Sequence, residues 1–124
     1  MKIAVDSNSE GVEYRLSNNL EDTRKLAESL AKMLSPGDVV AMLGELGAGK
    51  TTMIRMMSRA LGYHGAVTSP TFTLMNIYET NNVSIHHFDF YRIDSENEAF
   101  GVGAEEYIGG EGIVFIEWPE KVRS

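Results

Sequence analysis

The stretch Gly44-Glu45-Leu46-Gly47-Ala48-Gly49-Lys50-Thr51-Thr52 constrains this chain more than any other. It satisfies G-x-x-x-x-G-K-[ST], the phosphate-binding P-loop, at every required position. A triphosphate concentrates negative charge and has to be surrounded by many donors at once. Backbone N–H groups converge on it only where side chains do not intrude, which is why the loop is rich in glycine. A helix starting at the loop adds its unpaired N-terminal N–H groups and the positive end of its dipole. In this pattern Lys50 reaches the β- and γ-phosphates, the Thr51 hydroxyl holds Mg²⁺, and Thr52 is placed to bond the α-phosphate.

The flanking residues supply the context the motif needs. Val39-Val40-Ala41-Met42-Leu43 is a short apolar run that reads as a buried strand. After the loop, Met53, Ile54, Met56, Met57, Ala60 and Leu61 recur at helical spacing, and Gly62 stands where a helix would be capped. Strand, loop and helix follow in the required order. The expected class is therefore α/β: a P-loop NTPase-like three-layer fold with a central mixed β-sheet flanked by helices.

Composition narrows the setting. A chain of 124 residues with 43% hydrophobic content makes one domain with a sizeable core. No apolar run approaches the ~18 residues of a membrane span. Lys2, Asp6 and Glu10 break up the N-terminus, which lacks the apolar region of a secretory signal. The absence of cysteine excludes thiol chemistry and fits a cytoplasmic protein. A net charge of −7 disfavours broad contact with a phosphate backbone, so a role with RNA is expected to run through a partner protein.

Taken in order, residues 1–11 read as a loose polar lead-in. Val12, Tyr14 and Leu16 alternate with Glu13 and Arg15 as in a half-buried strand. Ser17-Asn18-Asn19 offers helix caps, and Leu20, Leu26, Ala27, Leu30, Ala31 and Leu34 follow at helical spacing. Thr23 falls away from that stripe and reads as solvated. Ser35-Pro36-Gly37-Asp38 ends the helix in a turn. Strand character builds through Val67–Tyr78, turns at Asn81-Asn82, and returns through Val83–Tyr91, a hairpin. Asp94 to Phe100 and Ala104 to Ile108 are expected to form short helices. Gly109–Gly112 is a turn, and Ile113-Val114-Phe115-Ile116 is a second buried strand.

A P-loop needs an acidic group to orient Mg²⁺ or water, usually at the end of a buried strand. Glu117 follows four apolar residues, the Walker B arrangement, and Asp89 ends the alternating strand from Val83. In a parallel sheet both strand ends gather on the edge that carries the P-loop. A plain solvated carboxylate is the alternative for each. His86 and His87 are adjacent on a strand and face opposite ways, which argues for structural hydrogen bonding over a shared metal. Arg92 fits an arginine finger, a partner for Asp89, or a surface arginine. Trp118 fits the core or a stacking role beside Glu117. No Asn-Lys-x-Asp element for guanine is present, so ATP is the expected nucleotide.

Gly44–Thr52, Ser69-Pro70-Thr71-Phe72-Thr73, His87-Phe88-Asp89-Phe90-Tyr91-Arg92 and Ile116-Glu117-Trp118-Pro119-Glu120 occur in one order. Together they resemble the TsaE (YjeE) family, small bacterial ATPases needed for threonylcarbamoyl adenosine in tRNA. The resemblance spans Val12 to Glu120. It implies ATP and Mg²⁺ as ligands, slow hydrolysis in isolation, and action on the partner proteins TsaB and TsaD, with tRNA engaged only through that complex. It further implies that Gly47, Ala48, Gly49, Lys50, Thr51 and Thr52 hold phosphate and that Thr51 and Glu117 hold Mg²⁺. Asp89 would support the metal or the attacking water, Thr71 would lie in a switch segment, and Thr23 would lie near the nucleotide. Family members usually add C-terminal strands beyond the Glu-Trp-Pro element, which this sequence is expected to lack. Two other readings share the P-loop. A small-molecule kinase would need an acceptor domain and an arginine-rich lid, which the sequence does not offer. A nucleotide-gated interaction subunit would bind ATP without requiring turnover.

Overall fold

The computed structural model describes residues 2–7, 10–15, 20–43, 49–68, 75–89 and 110–118. Its elements are β1 (Lys2–Ser7), β2 (Glu10–Arg15), α1 (Leu20–Met33), β3 (Val39–Leu43), α2 (Lys50–Ala60), β4 (Met75–Glu79), β5 (Ser84–Asp89) and β6 (Ile113–Trp118). Among the described residues the strands form one six-stranded mixed sheet in the order β2-β1-β3-β6-β5-β4. β3, β6 and β5 run parallel at its centre, and the outer pairings are antiparallel. The expected α/β, P-loop NTPase-like architecture of a mixed sheet flanked by helices is the one observed.

β6 is central because its sequence suits nothing else. Ile113, Val114, Phe115 and Ile116 are all buried, so both faces of the strand are covered. Continuous apolar runs of this kind belong in the parallel middle of a sheet. Two neighbours in the parallel centre, β3 and β5, fix its register, with Met42 and Asp89 both opposite Glu117. On the same face lie Ile3, Val5, Val40, Phe115 and Ile85, which pack with Ala27 and Leu30 of α1 and Met53, Ile54 and Met57 of α2.

The N-terminal expectation needs correction. Residues 2–7 and 10–11 are not a loose lead-in: β1 pairs with β2 on one side and with β3 on the other. Ile3 and Val5 alternate into the core and are 0% and 8% exposed. The charges at Lys2 and Asp6 hide a short period-two pattern that one face of the sheet uses. A second correction concerns Thr23, which is 8% exposed while Asp22 and Arg24 are exposed. Positions 23, 27 and 30 share a helix face, so Thr23 heads the buried stripe that continues through Ala27 and Leu30. The expected caps at 17–19 and helices within 94–108 lie outside the described residues.

Local signals account for the other junctions. In Ser35-Pro36-Gly37-Asp38, Gly37 has φ 98°, and the Asp38 N–H donates to Ser35 O at 3.0 Å. Proline then glycine is the pairing such a turn favours. Helix α2 closes with the Gly62 N–H on Arg59 O (3.1 Å) and the Tyr63 N–H on Ser58 O (2.9 Å), a Schellman motif. The β4–β5 connection is held by Thr80, whose Oγ1 accepts from the Asn82 and Val83 N–H groups.

Gly112 marks where β6 enters the sheet. Its carbonyl accepts the Gly37 N–H at 2.8 Å. A Cβ at this position would lie 2.7 Å from Ser84 O and 2.7 Å from His86 Cδ2. Backbone cannot yield as a flexible side chain can, so Gly112→Ala is expected to destabilise by about 1–3 kcal/mol, the cost of overpacking. Urea unfolding should show a lower midpoint at unchanged slope.

Candidate functional site

Three chain segments meet at the C-terminal edge of the parallel strands. β3 ends at Leu43 and leads toward the P-loop, β5 ends at Asp89, and β6 carries Glu117 as its penultimate residue. Asp89 and Glu117 are register partners, so their side chains leave the sheet on one face. Both are buried, at 8% and 5% exposure. The alternative of solvated strand-end carboxylates is thereby excluded for both.

Helix α2 begins at this edge. Gly49 precedes it with φ 86° and ψ 16°, in the left-handed region, and its carbonyl accepts the Met53 N–H at 3.0 Å. Among the described residues no heavy atom would lie within 4 Å of a Cβ at Gly49, so what they show of the need for glycine is its backbone conformation. Gly49→Ala is expected to cost about 1–2 kcal/mol, and Gly49→Val more than Gly49→Asn, because asparagine tolerates this region. Thermal denaturation of the three variants checks the ranking. The first turn of α2 has no acidic residue, whereas that of α1 has Glu21 and Asp22. The positive end of the α2 dipole is thus left uncompensated by its own sequence.

Lys50 is the first residue of α2 and is buried. Thr51 follows, and its Oγ1 donates to Glu117 Oε1 at 2.9 Å. The second Glu117 oxygen, Oε2, lies 2.6 Å from His87 Nε2. A carboxylate offers only acceptors, so His87 Nε2 donates to it, and the other ring nitrogen, Nδ1, is hydrogen-bonded to the Tyr78 hydroxyl at 2.8 Å. That hydroxyl also lies 3.3 Å from Thr68 O. Burial pushes the Tyr78 phenol above its ordinary value, which keeps it protonated and able to donate.

Among the residues singled out from sequence, Lys50, Thr51, Thr52, Asp89, His87 and Glu117 are thus placed at or beside this edge, and Thr23 on the buried face of α1. Gly47, Ala48, Thr71 and Arg92 lie outside the described residues, as does the side chain of Trp118. Tyr78 was not singled out. Its only local signal is its place on a strand, and its contact with His87 depends on strand pairing.

The donor set suits a hard divalent cation. Thr51 and Glu117 present oxygen atoms, and Mg²⁺ beside a nucleotide typically takes one or two protein oxygens, with phosphates and water completing the shell. Among the described residues no group of three or more His, Cys, Asp or Glu forms a self-sufficient metal cage. No helix among them is long and apolar enough to cross a membrane.

Comparison with known proteins identifies the family of the chain. The family profile of "Threonylcarbamoyl adenosine biosynthesis protein TsaE" matches residues 17–124. The chain is 42% identical over 107 residues to the tRNA threonylcarbamoyladenosine biosynthesis protein TsaE of Rickettsia felis, covering 86% of this chain and 62% of that protein. It is 44% identical over 103 residues to the protein of the same name from Aquifex aeolicus, covering 82% and 72%. The crystal structure of Bacillus subtilis YdiB superposes with a TM-score of 0.61 at 34% identity, covering 82% of this chain and 61% of that one. The chain thus spans about three fifths of the Rickettsia felis protein and of YdiB. With P-loop residues and a strand-end glutamate joined at one sheet edge, and with matches of this extent, the chain belongs to the TsaE family.

Proposed function

We propose that the chain is a single P-loop ATPase domain, acting in the cytoplasm, that binds ATP with Mg²⁺ and hydrolyses it slowly on its own. In this reading it supports threonylcarbamoyl adenosine modification of tRNA by acting on a complex of TsaB and TsaD, without contacting tRNA directly. The observation that carries the reading is the 2.9 Å bond between Thr51 and Glu117, residues 66 positions apart. It joins the hydroxyl of the P-loop to the carboxylate that ends a buried strand, the two groups a nucleotide-bound Mg²⁺ requires.

Each residue then has a task. The N–H groups at the start of α2 and the Lys50 ammonium hold the β- and γ-phosphates and offset their charge. Thr51 and Glu117 are the side chains that would hold Mg²⁺, which when bound neutralises charge developing on the transferred phosphoryl group. Asp89, beside Glu117 in register, would orient the attacking water or support Glu117. Thr23 would approach the nucleotide from α1. Phosphoryl transfer needs positioning and electrostatics more than covalent chemistry, and this set supplies both.

The test is phosphate release from ATP by the protein alone and with purified TsaB and TsaD, followed by formation of threonylcarbamoyl adenosine on tRNA. Slow release that rises with the partners, and modification that depends on this protein, is the expected result. An unchanged rate and modification independent of it would remove the partner assignment. Thr51→Ala should weaken Mg²⁺-dependent nucleotide binding about tenfold, the loss of one hydrogen bond to a charged group, while leaving Mg²⁺-free binding in place.

A further inference from the structure

We propose that Tyr78 is a positioning residue for Glu117, acting through His87. The sheet register makes the arrangement possible. His87 on β5 stands opposite Phe115 on β6 and Asn76 on β4. Glu117 and Tyr78 are each two residues further along their strands from those partners. The three side chains therefore share one face and step diagonally across three strands, a separation that aromatic and long side chains can bridge. Both steps are closed by hydrogen bonds, at 2.6 Å and 2.8 Å.

The consequence for Glu117 is directional. With Oε2 held by His87 Nε2, the carboxylate cannot rotate freely, and Oε1 is turned toward Thr51. His87 in turn is held at its other nitrogen by the Tyr78 hydroxyl, which fixes the plane of the ring and so the direction in which Nε2 meets Glu117. Tyr78 is itself braced. Its ring stacks on Tyr63 at 4.8 Å and 27°, and its hydroxyl lies against Thr68 O, which also accepts from Asn76 Nδ2 at 3.1 Å. His87 is fully buried and Tyr78 nearly so, so water does not substitute for either bond. Groups that orient a metal-ligating side chain in this way govern its affinity without touching the metal.

This proposal rests on the reading of Glu117 as a Mg²⁺-holding residue, and the experiment separates the two. Mg²⁺ is titrated into the ADP complex of the whole chain, with ADP affinity measured separately in its absence. Tyr78→Phe keeps the ring against Tyr63 and removes only the hydroxyl. It is expected to weaken Mg²⁺ binding about tenfold and to leave Mg²⁺-free ADP affinity unchanged. His87→Gln, which retains an N–H donor for Glu117, is expected to recover part of what His87→Ala loses. In a Glu117→Gln background Tyr78→Phe should have no further effect on Mg²⁺ binding, because its route is already cut. In the metal-free protein, ¹⁵N shifts of the His87 ring should show Nε2 protonated, and Tyr78→Phe should move the Nδ1 resonance, which loses its hydroxyl partner.

Unchanged Mg²⁺ binding in Tyr78→Phe, while Glu117→Gln weakens it, would overturn the positioning role and leave the Glu117 assignment standing. Unchanged binding in both would overturn both. Equal loss of Mg²⁺-free and Mg²⁺-dependent affinity in Tyr78→Phe would show general damage to the fold and also overturn the proposal. Should Tyr78→Phe fail to fold, the comparison of His87→Gln with His87→Ala decides the matter, and equal Mg²⁺ affinities in those two would count against it.

Discussion

Lys50→Ala is expected to lose ATP turnover by about 10²–10³-fold and to weaken nucleotide binding by about 10–100-fold, with or without Mg²⁺. The lysine sits at the first position of α2 and is only 6% exposed. Its ammonium is therefore held within the fold at the end of the helix where phosphate would bind. No side chain nearby in the first turn of α2 can replace the charge, because that turn is Lys50-Thr51-Thr52-Met53. A charged donor in a site with limited water acts most strongly where negative charge builds up on the transferred group, so turnover should fall further than binding. Calorimetric titration with ATP and a phosphate-release assay check both parts. Retention of both at wild-type values would remove Lys50 from the site.

Glu117→Gln should produce a different pattern. The amide keeps the shape and one oxygen, so Mg²⁺-free ADP binding is expected to persist. The advantage that Mg²⁺ confers on binding should vanish, and turnover should drop by about 10²–10³-fold. Glu117→Ala is expected to add a structural penalty. It would leave the buried His87 Nε2–H without its acceptor and deprive Thr51 of its own, at a cost of about 1–3 kcal/mol. Comparing the two substitutions by nucleotide titration and urea unfolding thus separates the role of the charge from its role in holding the sheet edge. A Glu117→Gln protein that kept full Mg²⁺-dependent turnover would exclude Glu117 as the metal-holding carboxylate.

The parts of this fold that could be read in the sequence are those written in contiguous residues. Val39–Leu43 followed by the glycine-rich loop and an apolar stripe at helical spacing specified β3 and α2, which appear as Val39–Leu43 and Lys50–Ala60. The run Ile113–Ile116 specified a buried strand and brought Glu117 to its end. β1 was obscured because Ile3 and Val5 are only two apolar positions among charged ones, too few to show a period by themselves. Their burial follows from pairing with β3, a partner almost forty residues away in sequence. Thr23 was misjudged by phase: the helix turns its 23–27–30 line inward, and a threonine on that line looks polar in isolation.

The candidate site was legible to the same depth. Lys50, Thr51 and Glu117 are announced by motif, and Asp89 by its place at a strand end. The step from Glu117 through His87 to Tyr78 is not, because it depends on which residues of β4, β5 and β6 stand opposite one another. Nothing local in His86-His87 tells which of the two faces Glu117. Register decides it: His87 shares a face with Phe115 and Glu117, and His86 points the other way.

The most direct test of the Thr51–Glu117 pair as the nucleotide-bound Mg²⁺ site uses Trp118, the sole tryptophan and the neighbour of Glu117 in β6. Its fluorescence is followed during titration with ADP and ATP, with and without Mg²⁺, beside calorimetry on the same samples. A saturable change whose midpoint moves to lower nucleotide concentration with Mg²⁺, and which loses that dependence in Glu117→Gln, is the predicted result. No fluorescence change and no heat with either nucleotide, whether or not Mg²⁺ is present, would contradict the assignment of this sheet edge as a nucleotide site.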